Sequence, residues 1–165
     1  MSKILALDLA TKTGWARNYG PEPRSGVVSF ERLKATKKRA AVPIGFVYAE
    51  FDKWLACHTG ELKPNLLCLE EPIGGGGGMA KLKICIGLWA VANAGAFNGE
   101  VETVSVKNSD LRSSFVGIKS AGKDDIIAMA KRKGYNPQDD NEADACLLLE
   151  YMLELKGLKQ GGNDE

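Results

Sequence analysis

The sequence predicts an α/β fold: a mixed five-stranded sheet, with three antiparallel strands followed by parallel strands and helices on both faces. Three short β-type runs open the chain, at residues 3–9, 14–18 and 25–31, and turn-forming residues separate them. Two later runs, at 66–70 and 101–106, each follow a helix-like segment. That order is typical of crossover connections between parallel strands.

Five segments have the apolar spacing or the end signals of helices. They are 43–57, 79–96, 108–115, 123–133 and 141–156. Pro43 suits the first helical position of the first segment, and Gly60 is expected to end that helix. We expect one domain over residues 1–157, followed by a disordered polar tail over 158–165.

The composition is ordinary for a globular chain. The 165 residues are 44% hydrophobic and 26% charged, with a formal net charge of +1. No apolar run approaches the roughly 20 residues of a membrane span. Asp8 interrupts the N-terminal apolar run, so we expect no signal peptide. The four cysteines are scattered without paired spacing, as in a reducing compartment. We therefore expect a cytoplasmic protein with no membrane segment.

The charged residues are clustered although the net charge is small. Basic residues concentrate at 32–39 and again at 119–133, whereas acidic residues gather at 70–71 and 139–144. Separate basic and acidic clusters allow one protein to bind a polyanion and also to hold cations. A solvated basic loop is the simpler explanation of the first basic cluster.

The acidic residues fall where the predicted fold brings chain ends together. Asp8 ends the first strand, Glu70 ends the fourth, and Asp144 lies one turn into the last helix, where Asp140 or Asn141 can share its face. Clustered carboxylates repel one another, and divalent cations relieve that repulsion. Oxygen ligands favour Mg²⁺ or Mn²⁺, and a pair of such ions catalyses phosphodiester hydrolysis.

Four motifs, in order along nearly the whole chain, resemble those of the RuvC family of Holliday junction resolvases in the ribonuclease H-like superfamily. The opening motif is ILALDLATKTGWA at 4–16, and LCLEEP at 67–72 is similar to the second acidic motif. VGIKSAGK at 116–123 resembles the basic loop, and NPQDDNEADA at 136–145 resembles the C-terminal acidic motif.

The resemblance implies two Mg²⁺ ions, for which Mn²⁺ can substitute, held by Asp8, Glu70, Asp144 and one acid a turn earlier. Asn141 stands at that fourth position, so either Asp140 or Asn141 completes the set. Glu71 adjoins Glu70, and neighbouring strand residues face opposite sides. The position within the motif favours Glu70 over Glu71 as the residue that faces the site.

The resemblance also implies a homodimer acting on branched DNA. Lys119 and Lys123 would contact phosphate, with Lys123 near the cleaved bond. The DNA arms would lie on Lys81, Lys83, Lys37, Lys38 and Arg39. Helix 79–96, with Trp89 and its small residues, is the candidate dimer interface, and simple core packing is the alternative. The five glycines at 74–78 replace the usual loop aromatic, as in phage members of the family.

Three other functions remain open from the sequence. A phosphotransferase of the actin or sugar-kinase type shares the opening motif but needs two such domains. A branched-DNA-binding module without cleavage is compatible with Asn141 at the ligand position. A nuclease for other branched DNA or for RNA–DNA hybrids would use the same residues. The chain lacks the P-loop pattern, and we expect no nucleotide cofactor.

Overall fold

The computed structural model of the chain describes residues 2–22, 24–30, 43–72, 78–115 and 122–157, apart from the side chain of Glu61. The strands are β1 (Ile4–Asp8), β2 (Lys12–Arg17), β3 (Ser25–Ser29), β4 (Leu66–Glu70) and β5 (Glu102–Val106). The helices are α1 (Ile44–Leu62), α2 (Gly78–Asn98), α3 (Asn108–Phe115), α4 (Lys123–Arg132) and α5 (Asp140–Leu155). The predicted tail at 158–165 lies outside the described residues.

The five strands form one mixed sheet in the order β3-β2-β1-β4-β5. Strands β1, β2 and β3 pair antiparallel, whereas β4 pairs parallel to β1 and β5 pairs parallel to β4. The predicted fold class is therefore confirmed, with three antiparallel strands followed by two parallel additions.

Helices cover both faces of the sheet, as the strand alternation requires. Leu5 and Leu7 of β1 pack with the buried residues of α1 and α2 on one face. Ile4 and Ala6 pack with those of α3, α4 and α5 on the other. The parity of β1 therefore directs Asp8, two residues after Ala6, towards the α5 face.

Helix α5 lies unusually close to the sheet at its first turn. A Cβ added to Gly14 on β2 would come within 1.9 Å of the Asn141 carbonyl oxygen, so only glycine fits there. The buried Glu142 carboxylate accepts a hydrogen bond of 2.7 Å from Ser25 Oγ on β3 and one of 2.9 Å from the Gln138 backbone. These contacts fix the start of α5 across the β1–β3 side of the sheet.

The predicted end of α1 at Gly60 is wrong, because the helix continues to Leu62. Leu62 packs against the apolar core under α1, and this burial outweighs the roughly 1 kcal/mol that an interior glycine costs a helix. Helix α1 instead ends at Lys63, which has a left-handed φ of 42° and is followed by Pro64.

By length and composition alone, one described helix, α2, could cross a membrane: it has 21 residues and a mean hydropathy of 1.2 over its most apolar window. The sequence-based expectation of no such run underestimated how far its aliphatic residues and alanines sustain this average. In the fold, Leu88, Ala92 and Ala96 are buried between α2 and the rest of the core. Its other residues are partly buried or exposed.

We predict opposite effects for two glycine-to-alanine substitutions. Gly14→Ala should lower the free energy of unfolding by about 3 kcal/mol or more, because the new methyl group collides with the backbone of α5. Gly60→Ala, in open space inside α1, should raise it by about 0.5–1 kcal/mol. Urea unfolding of both variants measures this, and equal effects would contradict the close approach of α5 to β2.

Candidate metal and nucleic-acid site

Two carboxylates meet at the ends of the parallel central strands. Leu7 of β1 pairs with Leu69 of β4, so the next residues, Asp8 and Glu70, lie side by side at the same sheet edge. Their side chains are close enough that Glu70 raises the pKa of Asp8. This contact shows that Glu70, rather than Glu71, faces Asp8, although Glu71 also borders the surrounding cleft.

The electrostatics of Asp8 reflect this crowding. Burial, and then the charges of Glu70 and Asp144, raise the pKa of Asp8 well above its usual value, and nearby Lys81 offsets this only in part. A carboxyl group in this position therefore tends to keep its proton unless a bound cation takes the place of that proton.

Asp144 brings the third carboxylate from α5. Burial, and then the charge of Glu70, raise the pKa of Asp144 to about 7, while Arg112 and Lys123 act in the opposite direction. Its Oδ1 atom is buried and has no hydrogen-bond partner within the described part of the chain. A buried carboxylate oxygen without a partner is costly, and a bound cation would satisfy it.

The first turn of α5 carries three further polar residues with different roles. Asp139 caps the helix by accepting the Glu142 N–H at 3.0 Å and also pairs with Lys12. Asp140 forms an ion pair with Lys123, and both Asp140 and Asn141 line the cleft. The structure thus brings both candidates for the fourth ligand to the site.

The cleft around these residues has a volume of about 530 Å³. Carboxylates form its floor, and three basic residues, Lys81, Arg112 and Lys123, also line it. Carboxylates beside cationic side chains suit a ligand that brings both negative phosphate and divalent metal. A mononucleotide or a short stretch of nucleic-acid backbone has that chemistry.

Among the other basic candidates, the structure describes Lys83, which does not line this cleft. Lys83 is exposed on α2, where its backbone carbonyl accepts a hydrogen bond of 3.1 Å from the Tyr48 hydroxyl. Lys119, Lys37, Lys38 and Arg39 lie outside the described residues. Of the lysines predicted to bind DNA, Lys81 and Lys123 therefore join the acidic cluster.

Sequence reasoning missed two polar residues of α3. Asn108 donates a hydrogen bond of 2.6 Å to Glu70 Oε1, and Arg112 lies one turn further along, near Asp144. Their spacing of four residues places both on one helix face. That spacing was visible in the sequence. It indicates a site only once α3 is known to lie beside β4.

The donor set fits a hard divalent cation, since Asp8, Glu70, Asp144 and Asp140 offer only oxygen. Among the described residues, however, no three His, Cys, Asp or Glu side chains are already arranged to hold a metal ion. Two of these carboxylates already have partners: Asp140 pairs with Lys123, and Glu70 accepts a hydrogen bond from Asn108. Cation binding would therefore require some of these side chains to turn.

Comparisons with known proteins identify the fold but find no relative by sequence. No protein-family model and no curated protein matches the chain. Thermus thermophilus RuvC matches with a TM-score of 0.64 and 14% identity, over 94% of this chain and 96% of that one. T. thermophilus RuvC in complex with a Holliday junction substrate matches with a TM-score of 0.68 and 14% identity, over 95% of this chain and 97% of that one.

The yeast mitochondrial Holliday junction resolvase Ydc2 matches with a TM-score of 0.61 and 11% identity, over 94% of this chain and 81% of that one. The chain therefore has a ribonuclease H-like fold. More particularly, the fold is RuvC-like, as the resemblance of the four motifs implied.

We predict that Asp8→Asn stabilises the protein in EDTA, because it removes a charge from a crowded, buried cluster. Raised native pKa values mean that the folded state binds more protons than the unfolded state between pH 4 and pH 7. In EDTA, the wild type should therefore lose stability as pH rises through this range, by about 1.4 kcal/mol per unit of pKa shift. Asp8→Asn should reduce this loss of stability with rising pH.

Thermal unfolding in EDTA at several pH values measures both effects. Asp52→Asn, on the exposed surface of α1, is the control and should leave the pH profile unchanged. An Asp8→Asn variant with the stability and pH profile of the wild type would contradict the repulsion among these carboxylates.

Proposed function

We propose that this protein is a metal-dependent, structure-selective endonuclease that resolves four-way or other branched DNA. One observation carries the proposal: Asp8, Glu70 and Asp144 converge in a basic-rimmed cleft of a RuvC-like fold. One neighbour with that fold is described in complex with a Holliday junction substrate. Fold likeness at 14% identity supports the class of substrate, and the chain's own acidic cluster supports the chemistry.

Asp8, Glu70 and Asp144 would hold two Mg²⁺ or Mn²⁺ ions, with Asp140 or Asn141 completing the set. When bound, such a pair activates a water for in-line attack on phosphorus and stabilises the leaving 3′ oxygen, so that the product carries a 5′-phosphate.

The cationic residues of the cleft would position the DNA backbone. Lys123 is well exposed at the start of α4 and is held beside the acidic cluster by Asp140. A phosphate entering the cleft would compete with Asp140 for Lys123. Lys81 and Arg112 would contact neighbouring phosphates, which binds DNA without reading its sequence.

Paired cleavage of a four-way junction needs two symmetric sites, and we propose that α2 forms a homodimer interface. Its uncovered side carries a continuous stripe at helical spacing: Met79, Lys83, Ile86, Ala90, Ala94 and Phe97. Met79, Ile86 and Phe97 expose 65%, 47% and 81% of their surface. Trp89 lies outside this stripe, since its indole donates a hydrogen bond of 3.0 Å to Ser105 on β5.

A junction-binding module without cleavage is the second candidate, and a specific contact favours it. The ligand position three residues before Asp144 holds Asn141, and the adjacent Asp140 is paired with Lys123. If neither residue can serve as a ligand, the site would retain three carboxylates. Such a protein would bind branched DNA independently of metal.

We predict paired, symmetric nicks with 5′-phosphates in a synthetic four-way junction when Mg²⁺ or Mn²⁺ is present. EDTA and Asp8→Asn should each abolish cleavage while leaving junction binding intact, and Asp52→Asn should cleave as the wild type does. A gel assay with linear duplex and RNA–DNA hybrid controls measures this. Tight binding with no nicks in either metal would contradict the nuclease and favour the binding module.

We predict that Ile86→Asp converts the dimer to a monomer, because it places a charge in the middle of the apolar stripe. Light scattering after gel filtration measures the mass. The control is Phe46→Asp, at a side chain of α1 that is 50% exposed and lies outside α2. A monomeric wild type, or a dimer that persists in Ile86→Asp, would contradict the α2 interface.

A further inference from the structure

Asn108 occupies an unusual place for an asparagine at the start of a helix. It lies two residues after Val106, the residue of β5 that pairs with Glu70 of β4. Its side-chain amide donates a hydrogen bond of 2.6 Å to Glu70 Oε1. Asparagine in this region of a helix more often uses its side-chain oxygen to accept a backbone N–H of its own first turn.

Backbone hydrogen bonds to Lys107 pair two N–H groups at the start of α3 without using the side chain of Asn108. The carbonyl oxygen of Lys107 accepts the backbone N–H groups of Asp110 at 3.0 Å and Leu111 at 3.2 Å. Leu111 is 1% exposed and anchors α3 in the core beside α5. Asn108 therefore projects from a fixed helix, and its amide reaches across to the neighbouring strand.

Glu70 therefore has two close neighbours. Asp8 lies beside it at the ends of the paired strands, and the Asn108 amide donates a hydrogen bond to its Oε1. A neutral N–H donor stabilises the charged form of a carboxylate and restricts rotation of its terminal torsion. Unlike Lys123 at Asp140, Asn108 adds no positive charge that would repel a cation.

We propose that Asn108 is a positioning residue that orients Glu70 for divalent cation binding. This inference rests on the proposed metal-dependent function and deepens it by assigning a partner to one carboxylate. Residues that hydrogen-bond to a metal ligand fix its orientation, and their loss typically weakens metal binding by about 10- to 100-fold. Asn108 would thus set the affinity for the cation without contacting the DNA.

The test compares Asn108→Leu and Asn108→Ala in the full chain with the wild type. The control is Ser109→Ala, which removes an adjacent hydroxyl that hydrogen-bonds to Asp110. Calorimetry gives the dissociation constant for Mn²⁺, fluorescence anisotropy in EDTA gives that for a four-way junction, and melting in EDTA reports folding. We expect both Asn108 variants to bind Mn²⁺ about 10- to 100-fold more weakly, with junction affinity changed less than about twofold.

The outcomes separate this inference from the proposed function. Unchanged Mn²⁺ affinity with a lower melting temperature would mean that Asn108 is purely structural, and would overturn the inference alone. An equal loss of junction affinity in EDTA would also overturn it, since Asn108 would then serve DNA binding or the fold. A wild type that binds no Mn²⁺ would overturn the proposed metal function itself, and this inference with it.

A second measurement needs no substitution and holds even if the variants do not fold. The side-chain amide resonance of Asn108 can be followed by NMR while Mg²⁺ is added to the wild type. We expect a saturable shift of this resonance, because the carboxylate that it contacts changes partner. Saturation of other cleft resonances without any change at Asn108 would overturn the inference.

Discussion

The mutual repulsion of Asp8, Glu70 and Asp144 is the constraint on which the site depends. Three carboxylates share one partly buried edge of the sheet, and burial and neighbouring carboxylates raise the pKa values of Asp8 and Asp144. A fold that gathers such groups gives up stability in the absence of a compensating charge. In the proposed function, a divalent cation would supply that charge, and the basic residues that line the cleft would bind phosphate.

The rest of the fold holds these groups together against their repulsion. Parallel pairing of β1 with β4 fixes Asp8 beside Glu70, whereas Asp144 depends on the placement of α5. Gly14 lets the first turn of α5 approach β2, and buried Glu142 ties the same turn to β3. The site is thus built on rigid strands and an anchored helix, which preserves its geometry.

The sequence predicted the strands, the five helices and the convergence of Asp8, Glu70 and Asp144, because two-residue periodicity and strand ends follow directly from local pattern. It did not predict that α1 passes Gly60, since the burial of Leu62 is a tertiary effect. Asn108 and Arg112 escaped notice because their importance depends on where α3 packs. The choice between Asp140 and Asn141 is still open, since both line the cleft and Asp140 is paired with Lys123.

The most direct test of the central claim is anomalous diffraction from crystals of the protein grown with Mn²⁺. The account predicts anomalous density in the cleft, in contact with carboxylate oxygens of Asp8, Glu70 and Asp144. The same crystals would show whether Asp140 leaves Lys123 to join the ion. A cleft without Mn²⁺ at millimolar concentration, with the Asp8–Glu70 and Lys123–Asp140 contacts unchanged, would contradict the claim that these carboxylates form a metal site.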